Sequence, residues 1–199
     1  MEKRLDTMGI IYGVLFSPVD TMKNLVNRPP LGIALVIFLI TNAIAAAVSY
    51  PALSQVSAEF ARVSAVAGAV LGVLFMALGV SLVHLSAELL GGQGRVTVLL
   101  CVMLLASLPE VFTAPLLVVG RAMPVLSLVG SVGLSIWVLV LSVIGIREAY
   151  GFSTGRAVLA WLLPGLFVFA GFVILVVLLG VLVADSAVLE EILQGLSEF

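Results

Sequence analysis

His84 and Glu88 stand four residues apart in an apolar stretch, a spacing that puts imidazole and carboxylate on one face of a helix. Glu110 follows Pro109 in the next apolar stretch. Ionisable groups inside hydrocarbon are costly unless paired, so these three are the first candidates for chemistry. An imidazole with two carboxylates suits ligation of a divalent metal, or relay of protons and passage of ions. Depth separates them. Measured along straight helices from the inner end, Glu88 lies about 3 Å deep, His84 about 9 Å and Glu110 about 21 Å. An unwound third segment would close that gap. The structural alternative has Glu88 capping the inner rim, His84 bonding a backbone carbonyl or serine, and Glu110 pairing with Arg121 or staying protonated. No metal is assigned to these residues, and no cofactor is expected.

A second set lies at the end of a later apolar stretch. Arg147, Glu148 and Tyr150 precede Gly151-Phe152-Ser153-Thr154-Gly155-Arg156. Arg147 and Arg156 suit a lipid headgroup phosphate, or Arg147 reaches Glu88 across the interface. Tyr150 suits an aromatic belt at the membrane surface. The turn Gly91-Gly92-Gln93-Gly94 lacks the lysine and the strand of a nucleotide loop, so it reads as a tight helix connection. Gly68 and Gly72 form a GxxxG pair, and Ser127, Ser131 and Ser135 recur every fourth residue; such faces let helices approach closely. No nucleophile–base pair or cofactor motif is evident, so a non-enzymatic protein is expected.

The elements that must position these residues follow from composition. The chain is 62% hydrophobic and 10% charged over 199 residues. A water-soluble domain of that size could not hide so much apolar surface, whereas a lipid bilayer can solvate it. The net charge of −2 argues against a nucleic-acid partner. A hydrocarbon core of roughly 30 Å needs about 20 apolar residues in a helix. Five stretches qualify, at about 31–50, 63–90, 96–120, 124–146 and 157–184. The expected fold is therefore all-α: a single domain over 1–199, a polytopic membrane bundle of five transmembrane helices with amphipathic end-helices. The third stretch contains Pro109 and Pro115 and the fifth Pro164, so kinks are expected there. The second and third spans are the ones most prone to bend or re-enter. The stretch Ile10–Phe16 is too short, and lacks a cleavage site, to serve as a cleavable signal peptide.

Orientation follows from the nine basic residues. With the N-terminus in the cytoplasm, Lys3, Arg4, Lys23, Arg28, Arg95, Arg147 and Arg156 lie inside and only Arg62 and Arg121 outside, as the positive-inside rule favours. An odd number of spans then places the C-terminus outside. Residues 1–30 form a cytoplasmic or interfacial helical segment. Ser17 caps it, Pro18 opens it, Asp20 suits its positive end, and Val19, Met22, Leu25 and Val26 share a face. That face lies on the inner membrane surface or packs on the bundle. Residues 185–199 form an amphipathic tail suited to the outer ends of the bundle or to a second copy.

Three stretches together resemble the Yip1 family of multi-span membrane proteins. They are Phe16-Ser17-Pro18 through Arg28-Pro29-Pro30-Leu31; His84 through Gly94 with the later Leu108-Pro109; and Trp137 through Ala157 by way of Gly145-Ile146-Arg147-Glu148-Ala149-Tyr150-Gly151. The chain is most similar to the short prokaryotic-type members. The resemblance implies five helices, an inner N-terminus and an outer C-terminus in a prokaryotic plasma membrane. It also implies a role in membrane trafficking or organisation, with the lipid bilayer and either a second copy or another membrane protein as partners. The competing expectation is a small transporter or channel for ions, protons or a small solute, with His84, Glu88 and Glu110 lining a hydrated path.

Overall fold

Backbone capping accounts for where the helices begin and end. The computed structural model describes residues 6–197, with side chains described as far as 182 except at 52 and 53. Helix α1 (Thr7–Phe16) starts where Asp6 accepts a 2.9 Å bond from the Gly9 N–H. Helix α2 (Pro18–Asn27) opens on a proline whose missing N–H costs nothing in the first turn. Ser17 occupies its cap position without the side-chain bond expected of it, and closes α1 through its own N–H to Gly13 O. Pro29-Pro30 then separates α2 from α3 (Leu31–Leu53). Ser57 caps α4 (Ala58–Leu89) by accepting from the N–H groups of Glu59 and Phe60.

The third apolar stretch is broken. Helix α5 (Val96–Ala106) gives way to a 3-10 turn over Leu108–Phe112, and α6 (Thr113–Gly120) resumes. Pro109 cannot donate to the carbonyl one turn back, so the helical ladder must lapse there. Ser107 Oγ bonds Leu104 O, and the Glu110 N–H takes Ser107 O at 2.9 Å, the tighter 3-10 spacing. Thr113 Oγ1 then caps Glu110 O. The remaining helices are α7 (Pro124–Tyr150) and α8 (Thr154–Ser197).

Five helical segments are long and apolar enough to cross a membrane: Leu31–Pro51, Ala58–Leu89, Val96–Gly120, Pro124–Tyr150 and Thr154–Leu182. No strand occurs among the described residues. The protein is an all-α polytopic membrane bundle. The second span is one unbroken 32-residue helix, so the irregularity expected of the second and third spans falls on the third alone.

Residues Met1–Trp161 make one compact unit and Leu162–Phe199 a second. The first is built around α5, where Leu99, Cys101, Val102, Leu105 and Ala106 are fully buried. Helices α3, α4 and α7 surround it, and α2 lies against both α5 and α7. Met22 and Leu25 of α2 are buried in that contact while Lys23 and Asn27 stay exposed. Ile10 and Val14 bury the inner face of α1, which touches α2 and the 3-10 turn. The α1–α2 crossing is close: a Cβ on Gly13 would collide with Thr21 Oγ1. The second unit holds the rest of α8, apolar through Leu182. The amphipathic tail expected at 185–199 lies outside the described side chains.

Candidate functional site

Two polar sites emerge, at different levels of the bundle. The first forms where α4 and α7 end. Each helix stops in a left-handed glycine, Gly91 at φ 83° and Gly151 at φ 64°, a conformation that a residue with a Cβ reaches only with strain. Gly92 N–H bonds back to Ala87 O, and Phe152 N–H to Arg147 O, the six-to-one bonds of a Schellman turn. These turns set the α4–α5 connection directly against the last residues of α7. A Cβ on Gly92 would sit 2.6 Å from the Tyr150 ring, and one on Gly94 would sit 2.6 Å from the same ring and 2.8 Å from Ala149 O. Phe152 stacks on Tyr150 with ring centres 5.5 Å apart.

Tyr150, fixed in this way, hydrogen-bonds His84 Nδ1 through its hydroxyl. His84 Nε2 in turn lies 3.4 Å from Glu88 Oε1. The three side chains form one chain, Tyr150–His84–Glu88, running from half-buried to accessible. His84 is 21% exposed and Glu88 56%. Arg147 does not reach Glu88 as one expectation held. It donates through Nε and a terminal nitrogen to Glu148 Oε1, at 2.9 and 2.6 Å, because its own helix neighbour is nearer. Arg156 is exposed and in no ion pair among the described residues.

Glu110 belongs to the second site. The 3-10 turn carries it to the edge of a cavity of about 690 Å³ bounded by α3, α4, α5, α6, α7 and the start of α8. Thr41, Asn42, Ser107, Thr113, Ser131, Ser135 and Ser142 contribute polar atoms, and Met76, Met103, Leu134, Leu139 and Trp161 contribute apolar walls. Neither His84 nor Glu88 lines it. Glu110 is exposed and makes no ion pair with Arg121 or any other cation among the described residues. The described residues hold no group of three or more His, Cys, Asp or Glu able to share a metal ion, so the expected trio does not converge.

The small-residue faces divide. Ser127 Oγ bonds Leu116 O at 2.9 Å, and a Cβ on Gly120 would meet that serine at 2.8 Å, so α6 and α7 pack tightly there. Ser131 and Ser135 line the cavity instead. A Cβ on Gly68 would meet nothing within 4 Å, while one on Gly72 would lie 3.4 Å from Asn42 Oδ1. Asn42, Ser142 and Trp161 did not stand out in the sequence as site residues. The usable signal was Thr41-Asn42, a polar pair in the middle of the first apolar span, facing Ser131, Ser135 and Ser142, which share one α7 face.

No curated protein and no solved structure matches the chain. The Yip1 domain model matches residues 12–183, from the middle of α1 to beyond the last described side chain of α8. With five spans, the proline exit from α2 and the glycine turn beside Tyr150 all inside that match, the chain belongs to the Yip1 family.

Proposed function

We propose that this Yip1-domain protein works without catalysis, organising the membrane or protein partners around it. The observation that carries this reading is the use made of the polar groups at the helix ends. Tyr150 and His84 are spent on each other, tying α4 to α7, and Arg147 and Glu148 are paired with each other within α7. Outside that lock the helices present apolar side chains such as Phe75 and Val129, 67% and 63% exposed, to lipid or to another membrane helix. We place the protein in a prokaryotic plasma membrane with its N-terminus inside. A photoreactive amino acid at Phe75 or Val129, irradiated in native membranes, tests the reading. Adducts of discrete size from one position and not the other are expected; lipid adducts alone from both would remove a protein partner.

A second reading, passage of an ion, proton or small solute, draws on the cavity beside Glu110. Because His84 and Glu88 lie outside that cavity, the path would rest on Glu110 and not on all three residues. Cation- or pH-driven flux into liposomes, abolished in Glu110→Gln, would establish it and displace the first reading.

A further inference from the structure

Five of the seven hydroxyl and amide side chains around the Glu110 cavity already donate to backbone carbonyls. Asn42 Nδ2 gives its hydrogen to Phe38 O, Ser107 Oγ to Leu104 O, Thr113 Oγ1 to Glu110 O, Ser135 Oγ to Ser131 O and Ser142 Oγ to Val138 O. A hydroxyl that donates keeps only its lone pairs to offer, and an amide bonded through nitrogen keeps its oxygen. The cavity therefore presents mainly acceptors, and among the described residues the Glu110 carboxyl is its one ionisable lining group. An interior of this kind is matched by a ligand that brings hydrogen-bond donors and positive charge.

Size and walls narrow the ligand further. About 690 Å³ is far more than a bare metal ion fills and lies in the range of sites for small organic molecules. Trp161, Met76 and Met103 supply an aromatic face and two thioethers, surfaces that accept an apolar body and favour a nearby cation. Glu110 and Ser135 are both exposed, and Ser135 lies near the middle of α7. The cavity thus lies within the length of the membrane-spanning helices, where an isolated charge is costly. An amine and a carboxyl group together avoid that cost. If a neutral amine meets the acid, the O–H bond breaks and an N–H bond forms; if an ammonium ion meets the carboxylate, no bond changes. Either way the pair carries no net charge.

We propose that the cavity at the broken third span binds a small amphiphilic amine, its ammonium group on Glu110 and its apolar body against Trp161. This site depends on neither functional reading above: an amine can be held without being transported, and flux without amine binding would leave the partner question open. The probes are 4-amino-TEMPO and 4-hydroxy-TEMPO, nitroxides of the same body that quench tryptophan on contact and differ in the amine. They are titrated into full-length Trp137→Phe protein in phosphatidylcholine nanodiscs, where Trp161 is the one remaining tryptophan.

Saturable quenching by the amine is expected, with a half-saturation at least tenfold lower than for the alcohol. Glu110→Gln should reduce that preference to less than twofold while leaving thermal stability and elution volume in place. Equal quenching of the parent protein by both probes would overturn the proposal, and needs no further variant to do so. A preference that survives in Glu110→Gln would overturn it as well. Ser135→Phe, which fills the mouth from an exposed position, should abolish the saturable component; its persistence would place the amine elsewhere and refute the site.

Discussion

At the scale of single residues, Tyr150 is the best test of what holds the ends of α4 and α7 together. Its hydroxyl meets His84 and its ring is clasped between Gly92, Gly94 and Phe152. Tyr150→Phe keeps the ring and removes the hydrogen bond, so thermal unfolding in detergent should fall by the equivalent of about 1 kcal/mol. His84→Ala should add little on top of that change, since both remove one interaction; full additivity in the double variant would show that the bond contributes nothing. Glu88→Gln should matter less, because the carboxylate is more than half exposed and solvent screens its attraction to His84. Glycines separate by the same logic. Gly94→Ala drives a methyl group into the Tyr150 ring and the Ala149 carbonyl and should cost about 1–3 kcal/mol. Gly68→Ala meets open space and should change stability by less than about 0.5 kcal/mol. A reversal of that order would refute the packing described.

At the scale of elements, α5 is the axis of the first unit, and Cys101 on it is fully buried. The thiol is the chain's only one, so it reports on α5 without further engineering. In the folded protein it should resist maleimide, react fully in denaturant, and label faster in Gly94→Ala than in the parent. Rapid labelling of the native parent would mean that α5 is not the covered helix. How legible the elements were depended on what each one needs. The spans follow from length and apolarity, and five helical segments have both. The lapse at Pro109 was visible as a proline. Its conversion into a 3-10 turn goes with Ser107 and Thr113 bonding the carbonyls of Leu104 and Glu110, and such pairing is settled only when the turn forms. The α1 contact with that turn had no readable signal beyond a short apolar stretch. The cavity was less legible still. A hole is defined by six elements meeting, and neither Ser135 nor Trp161 announces which neighbours it will have.

At the scale of the whole molecule, the family and the membrane fold were readable from an ordered set of short stretches, none of them specific alone. The sidedness of the chain is a matter for experiment. With Cys101 replaced by serine, a cysteine at Lys3 should be protected from an impermeant maleimide in intact cells, and one at Arg121 should react; the opposite pattern would invert the proposed orientation. The Tyr150 clasp bears on motion as well as on stability. Two helices joined firmly at one end can still swing about that end, like the legs of a pair of compasses. Helix α7 has 27 residues, about 40 Å from joint to tip. A swing of about 5° would shift its Pro124 end by about 3.5 Å and its middle by half as much, at the level of Ser135. The joint at Tyr150 would stay shut while the aperture beside Glu110 widened or narrowed.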